Sequence, residues 1–285
     1  MNNELKEINP LNDVFFKKLF GDNERKEISL NFLSSILLPE DKYFTNINFE
    51  DREFNPIYID GKLSRLDVFT ELNDGSLVDI EVQVCRENYM AERSLYYLSK
   101  VYAEALKKGE HYNKLRRAIA INLLDFNLLE SEISWHNIVH FALDKSHAIL
   151  TDCIEIHFLE LPKLKFSDVK KLKRAEVWGA YLSGTCSEKQ MEELMMMNPE
   201  IKKAKTYEEV FRGNKQLRDE YIARENAIFD EKMRTIGARH LGQQEEKKNN
   251  IINGLKAGID IDTISVITNA SIEDILKIQK ELSLL

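Results

Sequence analysis

Apolar and polar residues alternate along residues 65–85 (RLDVFTELNDGSLVDIEVQVC), and this stretch anchors the interpretation of the whole chain. Two runs typical of β-strands flank Asn73-Asp74-Gly75, a combination that predicts a β-hairpin. If these three residues form the loop, with Gly75 in the left-handed conformation, Leu72 pairs with Ser76. The numbers of paired residues then sum to 148, because 72 and 76 do.

This register predicts that Asp67 lies directly opposite Glu81, and Arg65 opposite Gln83. Directly opposed side chains have Cβ atoms roughly 4.5–5.5 Å apart, so one divalent cation could bridge the two carboxylates. A two-residue loop, Asp74-Gly75, would instead place the carboxylates on opposite faces. The other face of the hairpin is apolar and suited to burial: Leu66, Val68, Thr70, Val78, Ile80, Val82 and Val84.

A helix is predicted before the hairpin, with Asn9 or Asn12 as its N-cap and Gly21 at its end. Asp13 and Lys17 are four residues apart on this helix, so both side chains can point at one place.

A longer helix is predicted over residues 89–108, directly after the hairpin. One edge of it carries Arg93, Tyr96, Tyr97 and Lys100, which are candidates for a solvated functional surface. Packing in an amphipathic helix is the simpler explanation of each tyrosine taken alone.

The apolar run AIAINLL at 118–124 is typical of a strand buried on both faces. Because a helix separates it from the hairpin, the connection is a crossover between parallel strands. Further strands are predicted at 137–143 and 153–161. The pattern therefore predicts an α/β fold whose mixed sheet is flanked by helices.

The second half of the chain reads as helical, and it includes a long, highly charged helix over 214–237. The polar segment 241–248 predicts a boundary before a small helical module similar to a helix-turn-helix unit. We expect a core at 1–165, a helical extension at 166–241 and a helical module at 242–285. DNA reading and docking or oligomerisation both remain open for that module.

Composition narrows the function classes. The chain has 285 residues, a net charge of -8 and three cysteines, which argues against a disulfide framework and against a large basic surface. No apolar run is long enough for a membrane span, and the first residues lack the pattern of a signal peptide. We therefore expect a cytoplasmic protein. The acidic net charge does not exclude a nuclease, because a metal site needs clustered acids and a basic groove can be local.

The sharpest chemical signal is the set Asp67, Glu81 and Gln83. Two facing carboxylates suit a hard cation such as Mg²⁺, which can generate a nucleophilic water and stabilise charge on a scissile phosphate. Gln83 shares the strand face of Glu81 and could orient the water or contact the phosphate. A polar face that is merely solvated is the alternative, and spacing alone favours it.

Four stretches carry a resemblance to a known family: NPLNDVFFKKLFG (9–21), RLDVFTELNDGSLVDIEVQV (65–84), ERSLYYLSKVYAEALKKGEHYNKL (92–115) and AIAINLLDF (118–126). They resemble the PD-(D/E)XK nuclease superfamily and, within it, the Rpn (recombination-promoting nuclease) family. The likeness extends from about residue 9 to 160. The tail at 258–275 is also similar to a helical C-terminal element of that family.

The resemblance implies a restriction-endonuclease-like core and a Mg²⁺-dependent DNA endonuclease of recombination or mobile DNA, with Mn²⁺ as an alternative ion. Asp67 and Glu81 would hold the metal, and Gln83 stands where the wider superfamily has lysine. Asp13 would be an auxiliary acid, and Lys17 or Arg93 would supply the missing positive charge.

A second reading keeps the nuclease fold without the catalysis. In that reading the chain is an inactive module that binds DNA or a protein partner, and its C-terminal helical region mediates assembly. Self-association through that region is also compatible with an active enzyme.

Overall fold

The computed structural model describes residues 7–50, 53–54, 64–65, 67–86, 88–106 and 108–282, with the backbone alone at 53, 54, 64, 65 and 239. The helices are α1 Asp13–Phe20, α2 Lys26–Leu37, α3 Met90–Glu104, α4 Arg174–Ser183, α5 Glu188–Met197, α6 Pro199–Gly213, α7 Lys215–Lys256, α8 Ile261–Thr268 and α9 Ile272–Leu282. The strands are β1 Ile47–Glu50, β2 Glu53–Phe54, β3 Ser64–Arg65, β4 Val68–Leu72, β5 Leu77–Gln83, β6 Ala118–Leu124, β7 His136–Ala142 and β8 Ile149–Glu160.

The hairpin adopts the predicted three-residue loop. Leu72 N donates to Ser76 O at 2.9 Å, and Gly75 has a φ of 85°, the conformation that glycine adopts at least cost. Val68 pairs with Ile80, so the numbers again sum to 148 and the two-residue alternative is wrong. The expected partner of Gln83, Arg65, lies outside the described side chains.

Six strands form a mixed sheet in the order β1-β4-β5-β6-β8-β7, and β2 and β3 form a separate pair. β5, β6 and β8 run parallel to their neighbours within that group, while the remaining pairs are antiparallel. The crossover from β5 to parallel β6 through α3 is as predicted. The predicted α/β class, a mixed sheet with flanking helices, is confirmed.

Helices cover both faces of the sheet. One face packs with α1, α2 and α4–α6 in a core that includes Val68, Val78 and Ile80. The other face packs with α3 in a second core that includes Phe69 and Leu77. The hairpin is therefore buried on both faces, and polar side chains of its second face are enclosed rather than solvated.

The charged helical region differs from the expectation. Residues 241–248 lie inside α7, a continuous helix from Lys215 to Lys256, so the predicted break after residue 237 is wrong. The chain divides into two compact units, with the division between Asn226 and Ala227. The three-domain division at 165/166 and 241/242 stays a prediction.

Short caps set the starts of two further helices. α4 starts at Arg174, after a short 3-10 turn capped by Asp168. Ser271 precedes α9, where its Oγ donates to Asp274 Oδ2 at 2.6 Å and accepts from the backbone N–H of Asp274. Within the described residues, no helix has the length and apolar character needed to cross a bilayer.

Candidate active site

Asp67 and Glu81 meet at the open end of the hairpin, as the register predicts. The backbone N–H of Asp67 donates to Glu81 Oε1 at 3.3 Å, and the backbone N–H of Val82 donates to Asp67 Oδ2 at 3.0 Å. Each carboxylate is therefore held by the backbone of the opposite strand. Asp67 is 12% exposed and Glu81 is 8% exposed, so the pair borders solvent only narrowly.

A third carboxylate, Asp79, joins the pair and was missed by the sequence analysis. It lies two residues before Glu81 on β5 and therefore shares its strand face. Asp79 is 1% exposed, and its Oδ1 has no hydrogen-bond partner among the residues that the structure describes. The sequence signal was its position two residues before Glu81, which puts both side chains on one strand face. That face is buried only because α3 packs on it, and this packing is not visible in the sequence pattern.

Burial and mutual repulsion disfavour the ionised forms of these acids. Burial, followed by the charge of Asp67, raises the pKa of Glu81 to about 8. Burial, followed by the charges of Glu81 and Asp67, raises the pKa of Asp79 well above its usual range. The positive charge of Arg93 on α3 lowers both pKa values without cancelling these effects. We name Asp67, Asp79 and Glu81 the site cluster.

Lys17 brings a cation to the site cluster from α1. Its Nζ lies 3.1 Å from Asp67 Oδ1, and its side chain is 33% exposed. Asn12 fixes the start of α1, because its side chain accepts hydrogen bonds from the N–H groups of Val14 and Phe15. Lys17 also lines a surface cleft with Lys18, so its ammonium group is reachable from solvent.

Gln83 and Asp13 occupy different places. Gln83 Nε2 lies 3.5 Å from Glu81 Oε2, so this side chain borders the site cluster. Asp13 instead pairs with Arg224 of α7, with 2.8 Å between Oδ1 and Nε. Of the sequence-predicted residues, the structure thus brings together Asp67, Glu81, Gln83 and Lys17, whereas Asp13 faces another partner.

The donor chemistry of the site fits a hard divalent cation. Among the described residues, no group of three or more histidine, cysteine, aspartate or glutamate side chains has the arrangement of a complete metal site. Magnesium, however, is commonly bound through one or two carboxylates, with waters and substrate phosphate completing its coordination. Asp67 and Glu81 are a pair of carboxylates of this kind, and Lys17 and Arg93 offset only part of their charge. Asp79 Oδ1 has no hydrogen-bond partner among the described residues.

The family model for a PD-(D/E)XK nuclease family transposase matches residues 10–238. The chain belongs to this family. The match includes α1, the hairpin and α3, so every residue of the site lies within the PD-(D/E)XK region. A search of the curated proteins found no match, and a search of the solved structures found none either.

Membership in the PD-(D/E)XK family agrees with the position of the site cluster. The assignment of the superfamily pattern, an acid followed on the next strand by acid-x-Lys, to Asp67 and to Glu81-Val82-Gln83 stays a prediction. Gln83 carries no charge, but Lys17 provides an ammonium group on the other side of Asp67. The structure therefore contains a cation beside the carboxylates, although it comes from α1 rather than from the hairpin.

Proposed function

We propose that this chain is a Mg²⁺-dependent DNA endonuclease, acting in the cytoplasm on recombining or mobile DNA. The observation that carries the proposal is the pair Asp67 and Glu81, which face each other within the family-matched region beside a third buried carboxylate. Burial and mutual repulsion raise the pKa values of Glu81 and Asp79, which shows that the nearby cations compensate these acids only in part. Clustering of such acids at one opening favours a role in binding a cation.

Asp67 and Glu81 would hold the ion, which is Mg²⁺ or, as an alternative, Mn²⁺. When bound, such an ion supplies a nucleophilic water and stabilises the charge that develops on the scissile phosphate. In the hydrolysis, the water oxygen forms a bond to phosphorus, a bridging P–O bond breaks, and the leaving oxygen takes up a proton.

Lys17 and Gln83 have separate roles in this proposal. The ammonium group of Lys17 is a fixed positive charge at the mouth of the site, where it can pair with a phosphate oxygen. The amide of Gln83 offers both a donor and an acceptor, so it can orient a water molecule against the phosphate. We assign Asp13 a positioning role, because its pairing with Arg224 fixes the helix that presents Lys17.

A plasmid-nicking assay in Mg²⁺, Mn²⁺ or EDTA tests the proposal. Wild-type protein is expected to nick supercoiled DNA in either metal and not in EDTA. Asp67→Asn removes the charge but keeps an oxygen acceptor for Val82 N–H, so it should abolish nicking without unfolding the chain. Lys17→Ala should slow nicking by roughly 10- to 100-fold, following the loss of one electrostatic contact.

Lys18→Ala is the matched control, because Lys18 is the adjacent lysine on α1 and should leave nicking unchanged. Wild-type nicking by Asp67→Asn would reject the site assignment. If wild-type protein binds DNA but cuts it with neither metal, the inactive binding module becomes the better description. The engagement of both Asp67 oxygens, by Lys17 and by Val82 N–H, is the observation that favours that second function.

A further inference from the structure

Helix α3 follows β5, the strand that carries Asp79 and Glu81, and packs firmly on the sheet. Its buried side contains Met90, Leu98 and Val101, which pack in the second core. Ser94, also buried, donates from Oγ to Asn122 Oδ1 on β6 at 2.7 Å. Helix α3 is therefore held in a constant position relative to the sheet.

One side of α3 carries rings and cations: Arg93, Tyr96, Tyr97 and Lys100, with Tyr89 at the N-cap just before them. The spacing of three or four residues from Arg93 to Lys100 keeps those four side chains on one side of the helix, where Tyr97 also packs against the second core. Tyr89 is 76% exposed and Tyr96 is 53% exposed. We name this set the aromatic–basic stripe.

The members of the stripe are ordered among themselves. Lys100 Nζ lies 4.6 Å from the ring centroid of Tyr96, and Arg93 Cζ lies 5.5 Å from that of Tyr97. The two tyrosine rings have centroids 5.5 Å apart. Such cation–ring contacts hold the side chains on the surface in defined orientations.

Tyr89 is placed by an unusual backbone. Its φ of 63° is left-handed, a conformation that costs a residue other than glycine of order 1 kcal/mol or more. It is the N-cap of α3, and no side-chain hydrogen bond caps the helix there. The fold thus maintains a strained turn that leaves a large ring exposed, which burial in the core does not explain.

The stripe begins at the candidate active site. Ser94 donates to Asn122, and Asn122 is the register partner of Glu81 on β6. Arg93 precedes Ser94 on α3, so the stripe passes beside the site cluster. Lys100 is seven residues further along, which is about 10 Å along a helix axis. A nucleic-acid strand with one phosphate at the carboxylates would therefore pass along rings and cations for one or more further nucleotides.

We propose that the aromatic–basic stripe binds single-stranded DNA, or the unpaired end of a duplex, adjacent to the cleavage site. Bases stack on Tyr89 and Tyr96, while Arg93 and Lys100 contact phosphates. This inference rests on the proposed nuclease function and specifies its substrate form. Exposed rings favour unpaired DNA because bases inside an intact duplex stack on each other and are not available to a side chain.

The net charge of the chain favours DNA binding by one restricted surface rather than by the protein surface as a whole. With a net charge of -8, the protein as a whole repels DNA, so binding must come from a restricted basic surface. Stacking adds an attraction that does not depend on charge, and it tolerates any base sequence.

Fluorescence anisotropy with a labelled single strand of roughly 12 nucleotides, a length within known single-strand site sizes, tests the proposal. Ca²⁺ replaces Mg²⁺ to suppress cleavage, and a blunt hairpin duplex is the competitor. The single strand is expected to bind more tightly than the duplex. Tyr96→Ala should weaken binding of the single strand by roughly 5- to 100-fold, as expected for one lost stacking contact, whereas Tyr96→Phe should keep wild-type affinity.

Tyr112→Ala is the matched control, because Tyr112 is 82% exposed but lies outside the stripe. A 2-aminopurine base in the strand gives a separate signal: its fluorescence should be quenched by the wild-type protein and not by Tyr96→Ala. If Tyr96→Ala does not fold, Tyr89→Ala replaces it, since that side chain is exposed and its removal leaves no cavity.

The outcomes separate this inference from the proposed function. Undiminished binding and quenching by Tyr96→Ala, or preference for the blunt duplex, would overturn the stripe even if Asp67-dependent nicking is observed. Ring-dependent binding of the single strand without any metal-dependent nicking would support the stripe and reject the nuclease.

Discussion

Buried acids on the two faces of the same sheet differ in how completely their charges are paired. The site cluster, on the face covered by α3, contains Asp79, whose Oδ1 has no hydrogen-bond partner among the described residues. On the other face, Glu155 of β8 accepts from Arg117 Nη2 at 2.6 Å and contacts His157 Nε2 at 2.5 Å. We name Glu155, Arg117 and His157 the paired cluster.

The pKa values show the physical difference between the two clusters. Burial by itself would raise the pKa of Glu155, but hydrogen bonds from His157 and Arg117 and their positive charge bring it to about 2. Burial, followed by the charge of His157, lowers the pKa of the neighbouring His136 to about 4. In the site cluster, by contrast, the pKa of Glu81 rises to about 8.

Glu160 shows that complete compensation is usual for this fold when an acid is structural. It is fully buried and accepts from the backbone N–H groups of Leu128 and Leu129, from Asn137 Nδ2 and from Lys163 Nζ. The comparison teaches that burial does not mark a functional acid. What distinguishes the site cluster is burial beside other acids with too few donors.

The largest expected effect is on DNA cleavage. Glu81→Gln should reduce the cleavage rate by about 10³-fold, comparable with removing a major electrostatic contribution to a transition state. Glu155→Gln should leave the rate per folded molecule unchanged, because the paired cluster lies on the opposite face of the sheet. The measurement is the initial nicking rate of each variant, normalised to its folded fraction. Equal losses of activity in both variants would show that the two clusters do not differ in function.

The second effect is on stability and has opposite signs in the two clusters. Glu155→Ala leaves the buried His157 and the half-buried Arg117 without their shared partner and should lower the free energy of unfolding by about 3 kcal/mol. Asp79→Asn removes a buried acid that repels its neighbours and should raise the free energy of unfolding. Urea denaturation followed by tryptophan fluorescence is suitable, because Trp135 and Trp178 both lie in the first unit. A loss of stability in Asp79→Asn would contradict this account.

The third effect is the dependence of stability on pH, measured in EDTA. The raised pKa of Glu81 means that its protonated form stabilises the fold fully below about pH 4.5, and that this contribution is lost as the pH rises to about 8. Asp79 acts in the same direction. Glu155 contributes above about pH 4.5, and its contribution is lost as the pH falls towards 2.

Between pH 5 and 8, therefore, the free energy of unfolding of the wild type should fall with a slope of up to about 1.4 kcal/mol per pH unit for each such proton. Glu81→Gln should reduce that slope, and Glu155→Gln should not change it. An identical slope in wild type and Glu81→Gln would show that Glu81 is ionised in the folded protein throughout this range.

The smallest expected effect on stability comes from the partly exposed ion pair of Asp13 and Arg224. Arg224 is 45% exposed and Asp13 is 24% exposed, so Arg224→Ala should lower the free energy of unfolding by at most about 1 kcal/mol. Its effect on nicking should be smaller than that of Lys17→Ala. A larger loss of nicking than in Lys17→Ala would show that the Asp13–Arg224 pair contributes to cleavage itself and does more than position α1.

The geometry of the hairpin was accessible from the sequence because local chemistry determines it. Asn73-Asp74-Gly75 sets the loop, the loop sets the register, and the register places Asp67 opposite Glu81. No long-range packing is needed for any of these steps. For Lys17 the helical repeat gives only its position on α1, and its contact with Asp67 depends on how α1 packs against the hairpin.

Other features depend on packing that the sequence pattern does not reveal. Asp79 became part of the site only because α3 covers its face of the sheet. Asp13 was expected near the carboxylates, but Arg224, more than 200 residues later in the chain, takes it as a partner. The continuity of α7 through 241–248 also escaped prediction, since a polar segment of good helix formers reads equally well as a linker.

The central claim, that Asp67 and Glu81 share a divalent cation, is tested most directly by anomalous diffraction from crystals of the full chain soaked in Mn²⁺. We expect an ion within about 2 Å of carboxylate oxygens from both residues, the distance typical of a hard divalent cation. The same soak of Glu81→Gln should show no ion at this position. An ion bound only at the paired cluster, or no ion between Asp67 and Glu81 in the wild type, would contradict the account.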